Sequence, residues 1–326
     1  MVYEGDLIVS GNETRTIDYE YDLIGNIIVK DDATLIIKNT VFNQTGKYVP
    51  SDVPPSGVNV VVKDRASFFL TNVTLTISQG VNERNDKTSR ILVQDEAKIY
   101  IASSQLENFR YDISIWAMGQ SSVYIENAIM RRARENVTNT VESCTLVVDD
   151  YSEVHVKNLT FDRVTVYRSS RVFIERSTLR NAVRVFDSPS IQVSDSTIGY
   201  VTAEGSPSLY IRRSIIESYI SASESTTSAD IWLLHMTIKE VRAGGFSKVR
   251  LIDASVEDLY MYENATLFVG WDLPLFGPLA FPSTLEFVIR LIVFNSFVVT
   301  IIVVLYVLIG KLRKWRLSET KVLKKT

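Results

Sequence analysis

Three columns of apolar residues recur down this chain. Ala33 heads one repeat, in the run Ala33-Thr34-Leu35-Ile36-Ile37-Lys38-Asn39. Equivalent heads follow at Ala66, Ala97, Ser121, Ser152, Ser170, Pro189, Pro207, Ala229, Ser247 and Ala265. Two residues after each head lies an apolar residue, from Leu35, Phe68 and Ile99 to Ile231, Val249 and Leu267. Four after lies another, from Ile37, Leu70 and Ile101 to Leu233, Leu251 and Val269. Nine after comes the third, from Phe42 and Leu75 to Ile238 and Val256. Alternation at period two means a strand with one buried face. A further short run precedes each head, such as Ile27-Ile28-Val29 or Val60-Val61-Val62. Each repeat therefore predicts three short strands separated by bends.

From Ser152 onward the heads lie 18 to 22 residues apart. That is too short for a strand-plus-helix unit and fits one turn of a three-sided coil. Stacked coils pair each strand in parallel with its equivalent in the next. A fainter coil precedes Ala33, with Ile17, Tyr19 and Ile24 in the apolar columns. About twelve coils at ~4.8 Å each predict a rod roughly 55–60 Å long. The columns resemble those of the right-handed parallel β-helix superfamily, the pectin-lyase-like fold, over residues 5–272. The predicted fold class is all-β: this solenoid plus one C-terminal transmembrane helix.

The position six after each head falls at a bend and reads Asn39, Asn72, Ser103, Asn127 and Asn158 in successive coils, then Arg176, Asp195, Arg213, His235 and Asp253. Asn tolerates unusual bend geometry, and stacked amides hydrogen-bond from coil to coil. A ladder is therefore expected in the early coils. The segment from Trp271 to Pro278 has the aromatics and prolines to close the last coil.

The run Leu291–Gly310 has twenty residues and no charge, with Asn295, Ser296 and Thr300 as polar interruptions. That length spans a bilayer core as a helix. Beyond it, residues 311–326 hold seven of the 35 basic residues and one of the 38 acidic ones. The rest of the chain is acidic. The positive-inside rule then puts the tail in the cytoplasm and the rod outside. The expected organisation is an ectodomain over 1–272, a Pro-rich cap and linker over 273–286, the membrane helix over 287–310 and the basic tail over 311–326. No export signal is visible at Met1-Val2-Tyr3-Glu4-Gly5, so either a signal has been removed or the rod is cytosolic and tail-anchored, which the positive-inside rule disfavours. Polar residues within the span favour a transmembrane-helix partner.

Asn-X-Thr triplets stand at Asn12, Asn43, Asn72, Asn136, Asn158 and Asn264. Asn72 and Asn158 belong to the bend column and read as structural. Asn43 and Asn136 fall in expected loops and, with Asn12 and Asn264, are the glycosylation candidates. Rod, triplets and a single cysteine, Cys144, resemble a membrane-anchored archaeal cell-surface protein.

Four early heads are followed by spacings of 33, 31, 24 and 31 residues. The excess falls in one slot of each coil, roughly 43–59, 76–90, 107–114 and 131–145, so the inserts should lie along one edge. Such an edge is often the binding face of a repeat protein. The candidate ligand- or partner-binding residues there are Tyr48, Phe109, Arg110, Tyr111, Asp112, Arg131, Arg132 and Arg134. Aromatics supply apolar surface and guanidinium forks hold acids.

Chemistry is otherwise sparse. His155 and His235 are isolated, so no metal site and no cofactor are expected. Many β-helix relatives cleave polysaccharides, and Asp149-Asp150 near Arg131, Arg132 and Arg168 is the acid pair to weigh. Asp31-Asp32 occupies the equivalent bend, and Asp64 and Asp95 precede their heads likewise, so turn chemistry is the favoured reading. An acidic rod disfavours nucleic acid. The expected role is structural or binding, towards an envelope glycan, an S-layer-like protein or a membrane complex. The rivals are a membrane-tethered polysaccharide lyase or hydrolase and an accessory subunit of a larger assembly.

Overall fold

The inward columns and the bends between them generate a parallel β-solenoid of about 11 turns, seen in a computed structural model. The structure describes residues 2–46, 58–79, 88–108, 112–132, 144–222, 227–273 and 277–281. There is no helix among the described residues, and so none long and apolar enough to cross a membrane. Leu291–Gly310 and the basic tail lie outside them.

One coil shows the construction. Its first strand, Lys98–Ala102, pairs in parallel with Ser67 to Thr71 below and with Ser122–Glu126 above. Its second, Gln105–Asn108, lies between Thr74 to Ile77 and Ile129–Arg132. Its third, Asp112–Ala117, lies between Thr88–Val93 and Cys144–Val148. The three strands define three faces of the rod. The inward residues of all three, such as Ile99, Ile101, Leu106, Ile113 and Ile115, belong to one continuous buried core. The heads fill the inner corner with small side chains, and Ala33, Ala66, Ala97, Ser121, Ser152 and Ser170 are fully buried.

Two bends per coil are each fixed by one residue in the left-handed region. Six after the head, Asn39, Asn72, Ser103, Asn127, Asn158, Arg176, Asp195, Arg213, His235 and Asp253 all have φ between 46° and 53°. Two before the head, Asp31, Asp64, Asp95 and Asp150 have φ near 60°, and Gly119, Gly205 and Gly245 stand in the same place. Asn and Asp tolerate this conformation because their short polar chains bond locally. The amides do stack: Asn72 Nδ2 donates to Asn39 Oδ1 at 3.0 Å, and Asn158 Nδ2 to Asn127 Oδ1 at 2.6 Å. In the later coils the column pairs side chains differently, Arg213 with Asp195 as an ion pair at 2.8 Å and His235 Nδ1 with Asp253 Oδ2 as a hydrogen bond at 3.0 Å.

A second ladder follows one residue on. Buried Ser177, Ser196 and Ser214 each donate to the carbonyl two residues back. The same hydroxyls accept from the backbone amides of Leu159, Ser177 and Ser196 in the coil below. Serine thus satisfies a buried amide that the bend removes from the strand ladder.

Two expectations change. The fainter first coil is framed two residues earlier. Arg15 pairs with Leu35, Ile17 with Ile37 and Tyr21 with Phe42. Tyr19 is 44% exposed, and Tyr21 and Leu23 are the buried pair instead. Arg15 in an apolar column displaced the frame of the first strand by two, which leaves its facing unchanged, whereas the second strand slips by three, so Tyr21 takes the core column and Ile24 lies half-buried on the outward side. The count also falls from about twelve coils to about 11 turns, because the heads from Glu13 to Ala265 bound circuits rather than fill them. At the C-terminal end, Thr266–Leu273 pairs with Gly277–Phe281 antiparallel. That hairpin covers the free edge of the last first-face strand.

Candidate functional site

The stems of the inserts share one edge because they are paired strands. Second-face strands end at Gly46, Gln79, Asn108 and Arg132, and third-face strands resume at Val58, Thr88, Asp112 and Cys144. The ends are in register across coils: Asn43 with Thr76, Thr76 with Glu107 and Glu107 with Arg131. The resuming strands pair likewise, Ser89 with Ile113 and Ile113 with Cys144. Asp112, Arg131 and Arg132 therefore stand on strand ends at this edge rather than in loops. Tyr48, Phe109, Arg110, Tyr111, Arg134 and Asn136 lie outside the described residues.

Beside this edge, the third face carries an apolar row on its outer surface. Ile8, Ile28, Val61, Leu92, Trp116 and Val147 follow one another in register. Ile8 is exposed, Ile28, Val61, Trp116 and Val147 are half-buried, and Leu92 is buried. Arg90 lies over the Trp116 ring at 5.4 Å, and Trp116 Nε1 donates to Ser114 Oγ at 2.5 Å. Above Val147 the row turns polar, through Thr165, Arg184, Thr202, Ser221 and Arg242. The four insert-bearing coils each contribute an apolar residue to the row, Val61, Leu92, Trp116 and Val147, and Ile8 and Ile28 extend it into the insert-free coils below. The signal was in the sequence: Ile27-Ile28-Val29 and Ile91-Leu92-Val93 are apolar at every position, where alternation would leave the middle one polar.

The first face carries a different row. Phe69, Tyr100, Tyr124, His155 and Phe173 stack face to face, with ring centroids 4.7, 4.8, 4.9 and 4.5 Å apart. This is the strand spacing, so the coil repeat sets the stacking. Higher up, the Arg250 guanidinium lies 4.4 Å from the Trp232 ring centroid and 5.4 Å from that of Phe268, and pairs with Asp230. Burial against those rings pushes its pKa down. Charged side chains flank the row. Lys157 Nζ lies 2.8 Å from Glu126, and Arg171 2.6 Å from Glu153, whose other oxygen meets His155 Nε2 at 2.6 Å. The Lys157 hydrogen bond holds the Glu126 carboxyl below the usual range. This row sits three residues after each head, between two core columns, and was missed for that reason.

The bend acids are committed to backbone. Asp31 Oδ2 accepts from Gly11 N at 2.9 Å, Asp64 Oδ2 from Asp31 N at 3.0 Å and Asp95 Oδ2 from Asp64 N at 3.2 Å. Asp150 Oδ2 accepts from Gly119 N at 3.2 Å, and Arg168 in the next coil pairs with both Asp149 and Asp150. The acid pair is one rung of a carboxylate-to-amide ladder. Groups of three or more His, Cys, Asp or Glu placed to hold a metal ion are absent among the described residues.

The asparagine triplets divide. Asn72 and Asn158 spend their amides on the ladder. Asn43, expected in a loop, lies in the strand Thr34–Gly46, where its Nδ2 donates to Asp22 Oδ1 at 2.7 Å. Its triplet Asn-Gln-Thr belongs to the alternation of that strand, with Gln44 pointing inward and buried. Asn12 and Asn264 stand exposed on bends.

Comparison of the chain with family models, with curated proteins and with solved structures finds no match. Architecture alone therefore places the chain, as a parallel β-solenoid whose insert-bearing half carries one polar edge beside one apolar row.

Proposed function

We propose that this chain is a single-pass, membrane-anchored surface protein whose rod, of the right-handed pectin-lyase-like kind, binds a protein of the cell envelope or of a membrane complex. The observation that carries the binding role is the apolar row from Ile8 to Val147, which runs through the coils with inserts and the two strands below them and ends where the inserts end. A solvated sheet face has no use for an apolar residue in every coil, whereas a protein interface does. The polar rim is assigned to the adjoining insert edge. Anchoring rests on the uncharged span Leu291–Gly310, and orientation on the basic tail after it. The acidic rod and the exposed Asn12 and Asn264 fit display outside a cell, as on an archaeal surface.

The rival reading, a polysaccharide lyase or hydrolase, rests on Asp149, Asp150 and Arg168. One oxygen of Asp150 is already used by Gly119 N, which suits a turn better than a catalytic acid.

Two measurements test the proposal. Protease added outside intact cells should remove the rod and leave a fragment carrying Lys311–Thr326; a protected rod reverses the topology. Crosslinking with photoreactive side chains at positions 61 and 147 should trap an envelope protein, and probes at positions 202 and 242 of the same face should not. Equal yields from all four positions would end the assignment of the apolar row.

A further inference from the structure

The first-face ladder has a missing rung. Phe173 stacks on His155 below it. In the next coil the same position is Gln192, paired with Phe173 on one side and with Tyr210 on the other. Gln192 is exposed, and Tyr210 has no ring contact among the described residues. The upper face of Phe173 therefore meets an amide on a flexible stem instead of a ring. Two coil spacings, about 9.6 Å, separate the backbone positions of Phe173 and Tyr210, which is the spacing that one inserted ring would span. A depression of about 600 Å³ opens on this stretch, lined by Tyr124, His155, Phe173, Gln192 and Tyr210 with a wall that includes Glu175, Ser194 and Arg212.

The wall states what the ring must carry. Glu175 is an acceptor whose nearest cation is Arg176 at 3.1 Å, and Ser194 is a short hydroxyl level with Gln192. Arg212, directly above Ser194, is exposed and makes no side-chain hydrogen bond or ion pair among the described residues. Glu126 and Lys157, also in the lining, pair with each other at 2.8 Å; beside them one carboxylate, one guanidinium, one amide and one hydroxyl line the depression, and the whole set carries no net charge. Groups that both donate and accept satisfy such a set, and hydroxyls do so while a bare aromatic ring does not. A pyranose adds an apolar face of C–H bonds that sits favourably on the negative face of an aromatic ring.

We propose that this gap binds one neutral hexopyranose unit as the absent rung. Its ring lies between Phe173 and Tyr210, and its hydroxyls bond to Gln192, Glu175, Ser194 and Arg212. The site is on a different face from the insert edge, so it stands or falls separately from the protein-binding reading.

The test uses the full chain in lauryldimethylamine oxide, because maltoside and glucoside detergents would themselves fill the gap. Saturation-transfer NMR with methyl α-mannopyranoside and methyl β-glucopyranoside should show transfer to the ring protons. Gln192→Tyr completes the ladder and should weaken binding at least about tenfold while leaving thermal stability equal or higher. If that variant fails to fold, Arg212→Gln combined with Glu175→Gln should give the same loss. Four results overturn the proposal: no transfer with either neutral glycoside, undiminished transfer in the folded variants, tenfold tighter binding of methyl β-glucuronide, or displacement of the glycosides by p-cresol. The third would mark Arg212 as an anion site, and the fourth would mark the gap as a socket for an aromatic side chain.

Discussion

The coils below Val148 and those from Arg163 upward share one core and differ everywhere else. Inward columns run through both without a break, from Leu70 and Leu75 below to Leu251 and Ile238 above. Below, the bend column is an amide ladder, the second-to-third corner carries inserts, and the third face is apolar outside. Above, the bend column pairs charged and histidine side chains, and the same corner is closed by single strands such as Thr178–Val185, Thr197–Ala203 and Ile215–Ala222. Those strands turn the corner through register shifts between Leu179 and Ala182, Ile198 and Val201, and Ile216 and Tyr219. Inward residues thus fix the solenoid, and outward residues and corners vary freely upon it.

The largest test of the shared core is a buried charge. Ile174→Asp places an unpaired carboxylate among side chains with no exposure and should cost about 4 kcal/mol or more, read by chemical unfolding. Val269→Asp in the last coil should cost clearly less, because Leu267 and Val269 are only partly buried there. Equal losses at the two positions would mean that the core is as closed at the C-terminal end as in the middle.

The corner of the upper region is tested by Gly199. A Cβ there would lie 2.3 Å from the Asn181 carbonyl oxygen and 2.8 Å from that of Arg180, both backbone atoms of the coil below. Gly199→Ala must push two coils apart at the bulge and should cost about 1–3 kcal/mol. The equivalent positions in the neighbouring coils, Asn181 and Glu217, have side chains. Asn181→Ala should therefore change melting by much less, and parity between the two variants would remove the steric account.

Much of this was legible in the sequence and part was not. The inward columns were, because burial demands apolar side chains at fixed period whatever the neighbours do. The two bends were also legible, since few residues tolerate the left-handed region and Asn and Asp are prominent among them. The first coil was misframed because Arg15 occupies an apolar column on the lowest first-face strand, Thr14–Ile17, which has a partner strand on one side only among the described residues. The aromatic row and the outer apolar row were not read, because both interleave with core columns and look like extra hydrophobicity until each strand face is separated. The binding residues assigned to the inserts were chosen by composition, and only Asp112, Arg131 and Arg132 fall on described strands.

The bend column gives a sharper contrast at smaller energies. Asn72→Ala loses an amide rung and places alanine at positive φ, so it should cost about 1–2 kcal/mol with little dependence on salt. Arg213→Ala breaks an exposed ion pair, and its cost should shrink as salt rises. Arg176 holds φ 49° between Asn158 below and Asp195 above, without the local bonding that eases Asn into that region. Arg176→Asn should extend the amide ladder upward and stabilise by about 0.5–1 kcal/mol. Destabilisation by Arg176→Asn would show that the ladder does not carry over into the upper coils.

The smallest effect is one of acid. In the lower region Arg65 hydrogen-bonds Asp32, with Nε 2.6 Å from Oδ1, and Lys157 bonds Glu126 at 2.8 Å. Both carboxyls are held below their ordinary pKa, in each case chiefly by that hydrogen bond. A carboxyl whose pKa is lower in the folded chain than in the unfolded one binds fewer protons when folded. Its contribution is complete above the unfolded value, about pH 4, and is lost as pH falls through the folded value. Both carboxyls are open to solvent, so the contribution is small and screened. Asp32→Asn and Glu126→Gln should accordingly melt slightly below the parent chain at neutral pH and low salt. The difference should close as the pH falls through the folded value and should also close in high salt at neutral pH. A difference that persists unchanged through the acid range would assign the loss to packing rather than to charge.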